Sequence, residues 1–141
     1  MKVRVMLVRE GRKETEPLEV SSPSAAFLFL KPKARNLDRE HFWRIDLDSH
    51  NKIVGYEVVS IGTLTASLVH PREVFTGALL SKAAGIIVAH NHPSGETEPS
   101  SEDREATRRL VKAGEILGIP VLDHVVIGDG KYFSFREKGM L

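Results

Sequence analysis

At 141 residues the chain amounts to about one domain of ~150 residues, which argues against a two-domain enzyme or a barrel of ~250 residues. Its composition, 41% hydrophobic and 28% charged, is that of a globular chain able to bury roughly two-thirds of its unfolded surface. With 20 Lys and Arg against 19 Asp and Glu, the net charge of +1 gives no footprint for a phosphate backbone, and the absence of cysteine excludes disulfides, thiolate metal sites and thiol nucleophiles.

In chain order, Val3, Val5 and Leu7 alternate with Lys2, Arg4 and Met6, the period-2 pattern of a half-buried strand. The same stretch lacks the continuous apolar core of a signal peptide. The longest apolar runs, Ala25 to Leu30 and Gly85 to Ala89, are far below the ~20 residues of a membrane span, so a cytoplasmic protein is expected. Gly11 to Glu16 reads as a polar turn. Ser21-Ser22-Pro23 then opens a capped helix that is expected to end at Pro32, and Leu37 to Glu40 adds a short helical turn.

His41 to Asp48 and Asn51 to Ile61 are β-branched, apolar stretches around the turn formers Asp48-Ser49-His50-Asn51, which predicts a β-hairpin whose second strand is buried on both faces. Pro71 starts a helix through Lys82, with Gly85 just past its end. Gly85 to His90 is a short all-apolar strand of the buried kind. Loop follows from His92 to Ser100. The strongest helix spans Ser101 to Leu117, with Ala106, Leu110, Ala113 and Leu117 as its apolar stripe and Gly118 as its C-terminal cap. Val121 to Ile127 and Lys131 to Phe135 flank Asp129-Gly130, a hairpin signal.

Strands and helices interleave in one short chain, so an α/β (α+β) fold, a single domain with a mixed central sheet and helices packed on its faces, is expected. The strand at Gly85 to His90 is its centre, and open α/β sheets place their chemistry at the C-terminal ends of such strands.

At that end stands His90-Asn91-His92-Pro93-Ser94-Gly95. Residues two apart on an extended chain point to one side, so two imidazoles converge. Asp103, in the first turn of the next helix, is brought back to them by the loop. Three N/O ligands with an open fourth position describe a catalytic zinc. Each part also has a plainer reading: histidines at strand ends are often merely solvated, and Ser100 to Asp103 fits a helix capping box. Other His-X-His sites fit less well. The amidohydrolase type needs a long barrel, the binuclear lactamase type needs Asp and His where Ser94 and Gly95 stand, and zinc deaminases need paired cysteines.

His90-Asn91-His92-Pro93-Ser94-Gly95, Pro99-Ser100 and Asp103 resemble the JAMM (MPN+) metalloprotease motif, and more narrowly the bacterial RadC family. Val58, Ser60-Ile61-Gly62-Thr63-Leu64, His70-Pro71-Arg72-Glu73-Val74, Asp123-His124 and Tyr132-Phe133-Ser134-Phe135 resemble that family too, over about Leu37 to Leu141, with residues 1–36 as an N-terminal strand and helix extension. Longer members carry an N-terminal region resembling a helix-hairpin-helix DNA-binding module in place of those residues, which weakens any carry-over of DNA repair.

The resemblance implies a JAMM-type single-domain αβα sandwich related to the cytidine deaminases, one Zn2+ per chain on His90, His92 and Asp103, and an acidic general base from an upstream strand. Glu57 is the expected base: alternation sets it on the face of Ile53, Val59 and Ile61, and apolar neighbours suit a carboxylate to proton transfer. Glu73 and Glu96 compete from a helix and a loop. Ser100 matches the family's serine, which donates to the oxyanion, against simple N-capping. His124 reads as either a support behind the metal site or a structural histidine, the structural reading being favoured, His41, His50 and His70 as surface or cap positions, and Phe42, Trp43 and Phe27-Leu28-Phe29 as core.

Two functions follow. One is a zinc hydrolase acting on the peptide or isopeptide bond of a protein substrate. The other is a DNA-repair-associated or interaction module with a structural metal and no turnover. The charge favours the first and implies weak nucleic-acid binding; no membrane partner is expected.

Overall fold

A computed structural model describes residues 1–6, 8, 10–11, 18–64 and 69–141. Its elements are α1 (Pro23–Ala34), β1 (His41–Leu47), β2 (Ile53–Ile61), α2 (Pro71–Leu80), β3 (Gly85–Asn91), α3 (Ser101–Leu117), β4 (Val121–Ile127) and β5 (Tyr132–Ser134). The strands form one mixed sheet in the order β2-β1-β3-β4-β5, antiparallel throughout except for the β3–β4 pair.

Alternation along β1 and β3 divides their side chains between two cores. Trp43, Ile45, Leu47, Ile87 and Ala89 pack with Val125 and Ile127 against Ala26, Phe27, Phe29 and Leu30 of α1. On the opposite face Phe42, Ile86 and Val88 meet Val74, Phe75 and Ala78 of α2 and Leu110 of α3. Each fully buried Val, Leu, Ile or Phe among these contributes about 1.5–3 kcal/mol. The result is the expected αβα layering, with β3 in the middle of the sheet. No helix among the described residues is long and apolar enough to cross a membrane.

Several expectations are corrected. Residues 1–6 and 8 are exposed and form no strand, because alternation makes a strand only where a neighbour completes the ladder. Leu7, Arg9 and most of the predicted polar turn, residues 12–16, lie outside the described residues. Helix α1 runs two residues past Pro32. The carbonyl that proline leaves without a helical donor is that of Leu28, an exposed residue. Residues Leu37 to Glu40 bend without forming a helical turn, after Asn36 has ended α1 at φ 61°.

β2 is not buried on both faces: it is the edge strand, with Val54, Tyr56, Val58 and Ile61 exposed. β1, lying between β2 and β3, takes that role. α2 ends at Leu80, and Lys82 at φ 57° turns the chain. Gly85 instead opens β3, where a Cβ would stand 3.0 Å from Leu122. In α3 the stripe of Ala106 and Leu110 is completed by Asp103, Thr107 and Gly114, while Leu117 is exposed.

Candidate metal centre

β3 delivers His90, buried at 1% exposure, and the residue after the strand's end delivers His92. The next segment is held against the β4–β5 hairpin by bonds from His92 N–H to Ile127 O (2.9 Å) and from Asp129 N–H to Gly95 O (3.0 Å). Gly95, at φ 88°, makes the turn, and Gly128 lets the Gly95 carbonyl approach where a Cβ would collide with it. The chain then enters α3 through a capping box: Ser100 Oγ accepts from Asp103 N–H (3.1 Å), and Asp103 Oδ2 accepts from Ser100 N–H (2.8 Å). Capping and convergence are therefore one arrangement, since the box that starts α3 also aims the Asp103 carboxylate at the histidines.

His90 Nε2 and His92 Nε2 are 3.0 Å apart, and Asp103 Oδ2 lies 3.3 and 3.2 Å from them. Three ligand atoms on a tetrahedral zinc with bonds of about 2.0–2.1 Å are separated by about 3.3–3.4 Å, so this triangle fits the ion. These are the chain's metal-ligating side chains that converge among the described residues. His92 Nδ1 donates to Glu96 O (2.9 Å), leaving its Nε2 lone pair for the cluster. Three electron-rich atoms this close repel unless a proton or a cation stands between them.

The electrostatics carry the same signature. Burial pushes the Asp103 carboxyl up, but His90, His92 and the Ser100 N–H outweigh it and hold the group far below the usual carboxylate range. Asp103 in turn lifts the His92 imidazole above its ordinary value.

Glu57 does not join the cluster. Opposite Arg44 on β1, it is 49% exposed, and its Oε1 accepts from Arg44 Nη1 at 2.5 Å in place of the apolar surroundings expected. Arg44 pairs onward with Val88, two residues short of His90, so Glu57 stands about 10 Å or more from the triad by strand spacing. Glu73 is exposed on α2, and Glu96 bonds Lys131.

The carboxylate outside the cluster whose charge is felt at it is Glu40, which sequence reasoning missed. The β1–β3 register pairs Phe42 with His90, and continuing it by two residues sets Glu40 across from His92, whose proton affinity its charge raises. Asn91 pins both flanks: its Oδ1 accepts from His41 N–H (2.7 Å), and its Nδ2 donates to Arg39 O (3.2 Å). Glu40 Oε2 accepts from Leu64 N–H (2.6 Å).

His70 caps α2, as read from sequence, by accepting from Arg72 N–H. His124 is wholly buried against His90, and burial pushes its imidazole well below the usual value.

A layered αβα sheet with His-X-His at the end of its middle strand and an aspartate opening the next helix defines a JAB-type domain with a site able to hold a metal ion. The chain belongs to the RadC-like JAB domain family, whose description it matches over residues 20–140. A UPF0758 protein of Symbiobacterium thermophilum is 55% identical over 124 residues, 88% of this chain and 53% of that protein. One from Rubrobacter xylanophilus is 52% identical over 122 residues, 86% and 53% of the two chains. One from Caldanaerobacter subterraneus is 51% identical over 136 residues, 96% and 57%. The chain thus spans about half the length of the curated relatives it matches.

Proposed function

We propose that this domain is a zinc-dependent hydrolase of the JAMM type, cleaving a peptide or isopeptide bond in a protein substrate by attack of water. The observation that carries the reading is the convergence of His90 Nε2, His92 Nε2 and Asp103 Oδ2 within 3.0–3.3 Å of one another. His90, His92 and Asp103 would hold the ion. An ion held there would supply Lewis-acid chemistry that makes water a nucleophile near neutral pH.

The chain's own groups supply the rest. Glu40, anchored through Leu64 N–H and flanked by the Asn91 clamp, accepts a proton from the attacking water and returns it to the leaving amine. Ser100 Oγ uses a lone pair to cap α3, so its own hydroxyl proton is available to the oxyanion of the tetrahedral intermediate. Net charge of +1 favours this reading over a nucleic-acid module.

Elemental analysis tests the first step. Wild type should carry one zinc per chain and His92→Ala none, with the fold retained; equal metal in both rejects the ligand set. A library of peptide and isopeptide substrates then tests turnover, and a zinc-loaded protein inert on all of them favours the alternative of a structural metal.

A further inference from the structure

Behind the triad lies a chain of hydrogen bonds that the proposed hydrolysis does not use. Thr107 Oγ1 is 2.7 Å from Asp103 O and 2.5 Å from His124 Nδ1, and His124 Nε2 is 2.7 Å from His90 Nδ1. All three side chains are buried, with His124 stacked on Phe135 and meeting Phe42 edge-on. No water or carboxylate is needed to complete the chain, so its protons are fixed by counting.

A hydroxyl has one proton. The carbonyl of Asp103 can only accept, so Thr107 donates its proton there and receives one from His124 Nδ1–H. A neutral His124 then has a bare Nε2, which must accept, and the proton between it and His90 resides on His90 Nδ1. In a neutral His90 that leaves Nε2 with its lone pair facing His92 and Asp103. For His92 the Glu96 carbonyl does the same directly.

We propose that Thr107 and His124 are positioning residues that select the Nδ1–H tautomer of His90 and so pre-set its Nε2 as a metal ligand. The relay starts at the backbone of Asp103, so one turn of α3 positions two of the three ligands, one through the capping box and one through Thr107. This inference rests on the metal-site reading but not on hydrolysis. A His90 without the relay spends part of its time with a proton on Nε2, which must be lost before metal binds.

The experiment is long-range 1H–15N spectroscopy of the imidazoles in the metal-free full chain, above the range in which they titrate, joined to zinc titrations with a competing chelator. Wild type should show His90 as the Nδ1–H tautomer. Thr107→Val, which keeps shape and removes the hydroxyl, should move His90 toward a tautomer mixture and weaken zinc binding about 10–100-fold, and Thr107→Ser should restore both. His90 found as the Nε2–H tautomer in wild type overturns the proposal. So does a folded Thr107→Val with wild-type tautomer and affinity. If Thr107→Val does not fold, His124→Gln, whose carbonyl can still accept from His90 Nδ1–H, is compared with His124→Leu, which cannot accept: zinc affinity kept by Gln and lost by Leu supports the relay, and equal affinity in the two overturns it. Failure of wild type to take up zinc would reject the metal reading, while the tautomer would still report on the relay.

Discussion

Arg44 and Asp46, two residues apart on β1 and on the same face, form a buried two-pronged pair, Nε to Oδ1 at 2.6 Å and Nη2 to Oδ2 at 3.0 Å. Both are almost fully buried, and Arg44 also donates to Val74 O (2.9 Å), tying the sheet to α2. Glu57 joins from the exposed edge strand. Asp46→Asn should cost about 3–5 kcal/mol, because it leaves a buried guanidinium short of its counter-charge. Glu57→Gln, at a solvent-screened position, should cost at most about 1 kcal/mol. Urea unfolding of the two variants checks the order, and equal losses would place the Arg44 charge under the control of Glu57.

Gly128→Ala addresses the loop that carries His92 and Glu96. A methyl there collides with the Gly95 carbonyl and Thr97 Cγ2, and relief requires the loop to move off the hairpin. His92 would lose the accurate placement of its Glu96 acceptor. Zinc affinity is expected to fall about tenfold or more with little change in the unfolding of the core. A chelator competition that finds wild-type affinity would show that the loop adapts.

The triad was legible in sequence because local rules set it: two strand residues share a side, a Gly/Pro loop returns the chain, and a capping box opens α3. α3 itself was legible to the residue for the same reason. Glu40 was not. Its approach to His92 depends on β1 pairing antiparallel with β3, a non-local choice, and alternation within the β1–β2 hairpin pointed to Glu57 instead. Likewise, β2 carries as many apolar residues as a buried strand, but the sheet order leaves it at the edge. The relay through Thr107 and His124 joins residues of α3 and β4 that only packing brings into contact.

Asp123 gives a pH dependence whose sign can be worked out. Burial pushes its carboxyl up, against the hydrogen bonds from Ser134 Oγ–H and from the N–H groups of Arg136 and His124. A carboxyl raised in the folded state contributes stability below its unfolded pKa of 3.8, and loses it as pH rises through the raised folded value. Asp123→Asn has no such loss. The stability of Asp123→Asn relative to wild type should therefore increase as pH rises from about 4 toward neutrality. A gap that stays flat or shrinks across that window would mean that the hydrogen bonds outweigh burial.

DNA binding should be weak and steeply dependent on salt, since a net charge of +1 supplies few phosphate contacts. Titrations of duplex and branched DNA at near-physiological salt provide the measurement. Submicromolar affinity there would favour the DNA-associated reading over hydrolysis.

Glu40 and Glu57 offer the sharpest comparison, because the two carboxylates flank the same strand at opposite distances from the triad. Glu40→Gln keeps the acceptor for Leu64 N–H through its amide oxygen and preserves shape, but it can no longer take a proton from water. Turnover should fall by roughly 10²-fold or more while zinc content is unchanged, since Glu40 is not a ligand in this arrangement. Glu57→Gln should retain both, as its partner is Arg44 and no register pairing brings it to His90 or His92. A ligand variant such as His92→Ala loses metal and activity together, so zinc content separates a lost base from a lost site. Zinc-loaded Glu40→Gln turning over at the wild-type rate would remove Glu40 from the mechanism, and the opposite pattern, with only Glu57→Gln inactive, would return the base to β2.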